Sequence, residues 1–306
     1  MLVREGKPFK AGEADAVVFD IDGVLVDVKE SYWQAIIKTT QHFAGEKISE
    51  NEIRLFKDSG KFNNDWDLAY AVGLYFVLKK EGLAGFSIAE YVEKIREKGG
   101  GIKNAEELAK GLAGEKWAKV EMEWDRKRIW NIFQEIYLGS KKFSELHKGR
   151  PELNVEKGSM EKEKVLVEMK TIEALEKKGI RIGILTGRLY AEAAITLKKC
   201  GLEGKIERKY IVSEDDFARF PDDRRKPNPF GLLELSQRMN AKKIIYIGDI
   251  VDDIAAANAA KKEKKGFYSV AVAGASDEAA IALFRQSLAD AIVPDVNCLS
   301  RLFEVG

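Results

Sequence analysis

Short apolar runs alternate with amphipathic stretches along much of the chain. The apolar runs lie at residues 16–19, 181–185, 209–212, 244–247 and 268–272. Each has the length of a buried strand, and apolar residues between the runs recur at helical spacing. One such stripe consists of Val165, Met169, Ile172 and Leu175. Strands that alternate with helices predict an α/β fold, in which a doubly wound, Rossmann-like parallel sheet is covered by helices on both faces.

The alternation stops between residues 29 and 161. Strand-like runs are scarce in this stretch, helical spacing prevails, as at Ile129, Ile132 and Ile136, and glycine-rich breaks interrupt it. We therefore expect a mostly helical domain over residues 29–161, inserted after the first strand. The α/β core would then be discontinuous, with its first strand in residues 1–28 and the remainder in residues 162–306.

Charge and composition narrow the choice of partners. The 306 residues include 51 basic and 50 acidic side chains that nearly cancel, so we expect neither a nucleic acid nor a membrane surface as a partner. No apolar stretch reaches the ~18 residues of a membrane span, and the first residues lack an apolar leader, which predicts a cytoplasmic protein. Two cysteines, Cys200 and Cys298, do not suggest a disulfide scaffold. The oligomeric state cannot be inferred from the sequence.

Polar residues stand at the ends of the predicted strands. Asp20 and Asp22 follow the first strand, and Thr186 follows the second of the long runs. Asp249 follows the run at 244–247, with Asp253 one helical turn further on. Ligands of doubly wound sheets bind beyond the carboxyl ends of the strands, so these side chains are candidates for a common site.

So many carboxylates in one place require a cation. Two carboxylates about 4 Å apart repel each other by roughly 4 kcal/mol at an effective dielectric near 20. Oxygen ligands without histidine or cysteine favour a hard ion, and a small carboxylate set is typical of Mg²⁺. Lys226, in the loop before the strand at 244–247, adds a positive charge. A site of this kind would bind an anion that also ligates the metal, which indicates a phosphoryl group.

The same residues form four ordered motifs. They are DIDGVL at 20–25, LTGR at 185–188, KP at 226–227 and GDIVDD at 248–253. In order and relative spacing they resemble the motifs of the haloacid dehalogenase superfamily, and the resemblance covers the whole α/β core. The helical insertion resembles the cap of the first subfamily, although it is longer than usual. Within that subfamily, FNNDWD at 62–67 is similar to an uncharacterised IA group.

The resemblance implies a role for each core residue. Asp20 would be the nucleophile that becomes an aspartyl phosphate, and it would also ligate Mg²⁺. Asp22 would protonate the leaving oxygen and then deprotonate the attacking water, while its backbone carbonyl ligates the metal. Thr186 and Gly187 would bind a phosphate oxygen at the start of the following helix.

Lys226 and two further acids complete the set that the resemblance implies. Lys226 would balance the phosphoryl charge and hold Asp20. Asp249 would be the third metal ligand, and Asp253 would act on the metal through a water molecule or position Lys226. Asp252 is better explained as an acid favoured by the N-terminus of a helix.

Substrate specificity is expected from the cap. Lys61, Asn63, Asn64 and Asp65 are candidates for recognising the part of the substrate that is not phosphate. The alternative is a polar surface turn between cap helices. Arg188 is compatible with contact to a substrate anion and equally with an ordinary position in the first turn of a helix.

The resemblance implies a Mg²⁺-dependent phosphomonoester hydrolase acting on a small phosphorylated metabolite of the cytosol. A phosphomutase of the β-phosphoglucomutase type shares the motifs and is an alternative, but it would need a lasting phospho-Asp20. A phosphonatase-like hydrolase is another, because Lys61 lies near the position of a cap lysine in that group. A binding module would be expected to lack the nucleophile or the lysine, and this chain has both. The motifs do not identify the phosphate ester.

Overall fold

The computed structural model describes residues 2–3, 11–62, 64–220, 223–274 and 277–304. The chain divides into two units, which we call the core unit (residues 1–27 and 164–306) and the helical unit (residues 28–163).

The core unit is built on a mainly parallel sheet. The strands of this unit are β1 (Leu2–Val3), β2 (Ala16–Phe19), β3 (Val26–Asp27), β4 (Lys164–Val165), β5 (Arg181–Leu185), β6 (Ile211–Val212), β7 (Ile244–Gly248), β8 (Phe267–Val272) and β9 (Ala291–Val293). Seven of them form one sheet in the order β1-β9-β8-β7-β2-β5-β6, and β3 pairs with β4 in a separate antiparallel ribbon. Within the large sheet β1 is antiparallel to β9, while the other six strands are parallel.

Strand β2 lies between β5 and β7 in this sheet. Its last residue, Phe19, is paired with Ile184 of β5 and with Ile247 of β7. All residues of β2 and β7 are buried, as expected for a parallel sheet covered on both faces. The predicted α/β fold is therefore confirmed, and the carboxyl ends of these three strands lie side by side.

The helical unit consists mainly of α-helices. They are α1 (Gln34–Ala44), α2 (Glu50–Asp58), α3 (Asp65–Lys80), α4 (Ile88–Glu97), α5 (Gly101–Ala113), α6 (Trp117–Glu123), α7 (Arg126–Leu138) and α8 (Ser140–His147). Helix α3 is apolar along most of its length and packs against α1, α5 and α7, so it forms the centre of this unit. Ser49 and Ser87 begin α2 and α4 with capping boxes, which end each preceding loop at a defined residue.

The helices of the core unit follow the strands. They are α9 (Met169–Lys177), α10 (Tyr190–Lys199), α11 (Glu214–Phe217), α12 (Phe230–Arg238), α13 (Val251–Glu263), α14 (Glu278–Gln286) and α15 (Leu299–Glu304). The prediction that the helical stripe begins at Val165 is wrong for this residue. Val165 lies in β4, where it pairs with Val26, and the helix begins at Met169. Helical spacing alone could not reveal that pairing, because Val26 is distant in the sequence.

Among the helices described here, none combines the length and the apolar character that a membrane crossing needs.

Candidate active site

Backbone hydrogen bonds to β7 and within the loop hold the loop after β2 in a tight conformation. The amide of Asp20 donates to the carbonyl of Ile247 in β7 at 2.9 Å, and the amide of Val26 donates to the carbonyl of Ile21 at 3.1 Å. Gly23, between them, has a φ of +69°, a conformation that side chains with a Cβ rarely adopt. A Cβ at this position would lie 1.8 Å from Oδ2 of Asp249. The loop therefore needs glycine so that the Asp249 carboxylate can lie against it.

Asp253 is fully buried in the first turn of α13, and both of its oxygens accept hydrogen bonds. Oδ1 accepts from Nζ of Lys226 at 2.7 Å and from the hydroxyl of Tyr246 at 2.8 Å. Oδ2 accepts from the backbone amides of Asp249 and Ile250 at 3.0 and 3.1 Å. Four donors thus compensate one buried carboxylate, and they join the end of β7 to the start of α13.

Lys226 connects Asp253 to the loop after β2. Its Nζ lies 3.2 Å from Oδ1 of Asp20 and 2.7 Å from Oδ1 of Asp253, and all three side chains are buried. Burial lowers the pKa of Lys226, but the two carboxylates outweigh this effect and hold the pKa well above its usual value. The ammonium group therefore stays charged between the two acids.

Burial also dominates the ionisation of Asp20. Burial is the largest influence and raises the pKa of Asp20 to about 7. The Lys226 ammonium lowers this pKa, whereas the nearby acids Asp253 and Asp22 raise it. A cation close to this carboxylate would favour its charged form. Asp20 is thus a carboxylate whose charge depends on its partners.

The acids at these strand ends fit a hard cation. Asp20, Asp249 and Asp253 each present an oxygen atom, and these atoms lie within 4.8 Å of one another. The donors are carboxylate oxygens, the type that Mg²⁺ prefers. Asp253 is already bound by four protein donors, so the fit depends mainly on Asp20 and Asp249. Asp252, which precedes Asp253 in the sequence, is also buried but does not belong to this cluster.

Thr186 lies directly after β5 and is buried. Its amide donates to the carbonyl of Val212 at 3.0 Å, and its Oγ1 accepts a hydrogen bond from the amide of Arg188 at 3.2 Å. Gly187, between these two residues, is partly buried. The short turn thus fixes both the backbone and the hydroxyl of Thr186 at the end of the strand next to β2.

The side chain of Arg188 turns towards the loop after β2. Its Nε and Nη2 donate to Oδ1 of Asp22 at 2.9 and 2.5 Å. Its Nη1 donates to Oγ1 of Thr196 in α10. The sequence placed Arg188 in a motif but did not reveal these partners. Tyr246 was missed altogether, although a residue with a hydroxyl group inside an otherwise apolar strand is a signal that this group has a buried partner.

The residues proposed to recognise the substrate lie in the helical unit. Lys61 is exposed and has a φ of +59°, and Asn63 lies outside the described residues. Asn64 is buried, and within the described part of the chain its side-chain amide has no hydrogen-bond partner. Asp65 is buried at the start of α3, where its Oδ1 lies 2.7 Å from Nζ of Lys57. Asn64, an amide without a hydrogen-bond partner among the described residues, is therefore followed directly by a buried carboxylate that is paired with a partly buried lysine.

Replacing Gly23 with alanine tests the close approach of Asp249. We expect Gly23→Ala to lower the free energy of unfolding by about 1–2 kcal/mol for the positive φ and by roughly 2 kcal/mol more for the crowding of Asp249. Gly179→Ala is the matched control, because Gly179 has a φ of +70° and nothing lies within 4 Å of the position of its Cβ. Urea denaturation of both variants gives the difference. Equal losses would contradict the close contact between Gly23 and Asp249.

Comparisons with solved structures show the same fold. A phosphatase from Thermococcus thioreducens has a TM-score of 0.57 and 22% identity, covering 89% of this chain and 98% of that one. A predicted phosphoglycolate phosphatase from Haemophilus somnus 129pt has a TM-score of 0.58 and 16% identity, covering 94% and 97%. A family IA hydrolase from Entamoeba histolytica has a TM-score of 0.55 and 16% identity, covering 95% and 98%.

Sequence comparison places the chain in a family. It is 38% identical over 85 residues to an imidazoleglycerol-phosphate dehydratase of Phytophthora nicotianae, a match that spans 28% of this chain but only 17% of that protein. The family model of haloacid dehalogenase-like hydrolases matches residues 14–261, which contain the strand-end acids, the Thr186 turn and Lys226. The chain therefore belongs to the haloacid dehalogenase-like hydrolases.

Proposed function

We propose that this hydrolase is a Mg²⁺-dependent phosphatase, which cleaves the phosphomonoester of a small cytosolic metabolite through an aspartyl phosphate on Asp20. The observation that carries the proposal is the buried contact between Asp20 and Lys226, in which Nζ lies 3.2 Å from Oδ1 of Asp20. The same Nζ lies 2.7 Å from Oδ1 of Asp253, which holds the lysine in place. A charged lysine beside a carboxylate nucleophile suits a reaction in which a phosphoryl dianion approaches that carboxylate. Two of the structural neighbours are described as a phosphatase and a predicted phosphatase, which agrees with this class.

Asp20 is the nucleophile in this proposal. One of its carboxylate oxygens forms a bond to phosphorus while the bond from phosphorus to the ester oxygen breaks. Lys226 keeps Asp20 in place and offsets the negative charge that the phosphoryl group brings. Thr186 and Gly187 at the end of β5 would donate hydrogen bonds to the phosphoryl oxygens.

Asp22 moves the protons. It gives a proton to the ester oxygen as this oxygen leaves phosphorus with the electron pair of the broken bond. It then accepts a proton from the water molecule that attacks phosphorus, which releases inorganic phosphate and restores the Asp20 carboxylate. A group that acts as acid and then as base needs access to water, and Asp22 is partly exposed, whereas Asp20 is buried.

Asp20, Asp249 and the backbone carbonyl of Asp22 are the groups that would hold Mg²⁺. When bound, the ion would neutralise charge on the phosphoryl oxygens and orient them for attack. We assign Asp253 to the positioning of Lys226, because four protein donors, including the Lys226 ammonium, already bind its two carboxylate oxygens. The polar segment with Lys61, Asn63, Asn64 and Asp65 is the candidate for recognising the organic part of the substrate.

Replacing the nucleophile tests the proposed function. Asp20→Asn keeps the shape of the side chain but removes its negative charge, so we expect a loss of roughly 1,000-fold or more in the hydrolysis of phosphomonoesters. Hydrolysis is measured as phosphate released from a panel of phosphorylated metabolites in the presence of Mg²⁺.

Asp290→Asn is the matched control for Asp20→Asn. Asp290 is also 4% exposed, and its Oδ1 accepts from Nζ of Lys261 at 2.8 Å, so the control likewise removes the charge of a buried carboxylate that contacts a lysine. We expect the control to lose stability and to keep its turnover once folded. If Asp20→Asn hydrolysed the same esters as well as the control, Asp20 could not be the nucleophile.

The metal assignment predicts a difference between two neighbouring acids. Asp249→Ala should raise the Mg²⁺ concentration for half-maximal activity by at least about 10-fold, because it removes a ligand. Asp252→Ala should leave this concentration nearly unchanged, because Asp252 is outside the cluster of acids. The increase in melting temperature on addition of Mg²⁺ provides a second readout that does not need turnover. A larger effect of Asp252→Ala in both measurements would reverse the assignment.

A further inference from the structure

The Arg188–Asp22 pair joins a buried cation to a partly exposed carboxyl group. The Arg188 side chain is 1% exposed, whereas that of Asp22 is 21% exposed. An arginine on the surface could serve solubility or screening, but a buried guanidinium needs defined partners. Two of its nitrogen atoms have Asp22 as their partner. The pair therefore links the buried interior of the core unit to a carboxyl group that solvent can reach.

Arg188 is held at several points along its length. Its amide donates to Oγ1 of Thr186 at 3.2 Å, and its carbonyl accepts from the amide of Glu214 at 2.9 Å. At the far end of the side chain, Nη1 donates to Oγ1 of Thr196. Because backbone and guanidinium are both fixed, the position of the guanidinium is defined by the turn after β5 and by α10.

Arg188 donates both of its hydrogen bonds with Asp22 to the same carboxylate oxygen. Nε and Nη2 of Arg188 both donate to Oδ1, at 2.9 and 2.5 Å. A bidentate pair would instead use one donor for each carboxylate oxygen. Here one oxygen is anchored by two donors, and the guanidinium does not occupy the other oxygen, Oδ2. The carboxyl group is thereby fixed in orientation while one of its oxygens stays available for a proton.

We propose that Arg188 is a positioning residue, which holds Asp22 so that Oδ2 exchanges the proton in each half of the reaction. This inference rests on the proposed phosphatase function. In the first half, the proton on Oδ2 passes to the ester oxygen as the bond from that oxygen to phosphorus breaks. In the second half, water gives a proton to Oδ2 as its oxygen bonds to phosphorus and the bond from phosphorus to Asp20 breaks. In this role Arg188 acts through Asp22, the carboxyl group that its guanidinium contacts.

A positioning role predicts that the effect of Arg188 depends on the leaving group. Phenyl phosphate and p-nitrophenyl phosphate have similar shapes, but phenolate is the more basic leaving group and needs the proton far more. For a reaction through phospho-Asp20, kcat/KM reports the steps up to the formation of that intermediate. The ratio of kcat/KM for the two esters therefore measures how well Asp22 delivers its proton.

The test compares this ratio in wild type and Arg188→Met at saturating Mg²⁺. We expect kcat/KM to fall roughly 100-fold with phenyl phosphate and only about threefold with p-nitrophenyl phosphate. Arg188→Lys keeps the charge but cannot direct two nitrogen atoms at one oxygen, so we expect an intermediate change of roughly 10-fold in the ratio. If Arg188→Met does not fold, the lysine variant gives the readout.

A double-mutant cycle separates positioning from other effects. Asp22→Asn removes the proton donor, so adding Arg188→Met to it should not change the ratio further. Arg238→Met is the matched control, because Nη2 of Arg238 lies 3.3 Å from Oδ1 of the buried Asp216 and this pair is not part of the proposed mechanism. We expect this control to keep the wild-type ratio.

An equal loss with both esters would overturn the inference, since it would show that Arg188 acts on phosphate binding or on the fold. A changed ratio in Arg238→Met would overturn it as well, because the effect would then follow from any lost ion pair. If wild type hydrolyses neither these esters nor any phosphorylated metabolite, the proposed function itself fails. Failure of the inference is thus distinct from failure of the function, because the former requires an active wild-type enzyme.

Discussion

A buried lysine between two buried carboxylates is the interaction on which the proposed site depends. Burial raises the pKa of Asp20, because the loss of hydration favours the neutral form, and the Lys226 ammonium opposes this effect. Lys226 serves both acids, and Asp253 in turn binds Tyr246 and the amides at the end of β7. The loop of Lys226, the loop of Asp20 and the start of α13 are therefore joined in one hydrogen-bonded network, whose members stabilise one another.

The order of the strands explains how residues so distant in sequence meet. Strand β2 lies between β5 and β7, and all three are parallel, so Asp20, Thr186 and Asp249 follow the same edge of the sheet. Gly23 and Gly248 allow the loops at this edge to come close together. A Cβ at Gly248 would lie 2.3 Å from Cβ of Asp253, which would displace the acid that orients Lys226. The sheet thus supplies the approximate position, and the two glycines permit the close contacts.

Much of the fold could be predicted because its central strands are long apolar runs. Strands β2, β5 and β7 are buried on both faces, so their sequences differ clearly from the amphipathic helices around them. The paired strands β3 and β4 have two residues each, which is too short for any periodicity, and Val165 was consequently assigned to a helix. The pairing of β3 with β4, which are distant in the sequence, determines that Val165 lies in a strand.

In the candidate site, too, contacts between residues distant in sequence could not be predicted. The types and spacing of Asp20, Lys226 and Asp249 indicate phosphoryl chemistry from the sequence, because the two acids each follow a recognisable strand and the lysine lies between them in the motif order. The partner of Arg188 could not be predicted, since Asp22 is 166 residues away and only the fold brings the two together. Recognition of the substrate is harder still, because it would depend on short polar segments of the helical unit without a distinctive pattern.

Capture of the phosphoryl group on Asp20 tests the central claim most directly. The Asp22→Asn variant is mixed with p-nitrophenyl phosphate and Mg²⁺, and the reaction is then quenched in acid. The protein is digested, and the masses of its peptides are measured by mass spectrometry. The first step needs no proton with this ester, whereas the second lacks its base, so a covalent intermediate should accumulate. The account predicts one added phosphoryl group on the peptide that contains Asp20. Release of nitrophenol with the phosphoryl group on another residue, or with no phosphorylated peptide at any time, would contradict it.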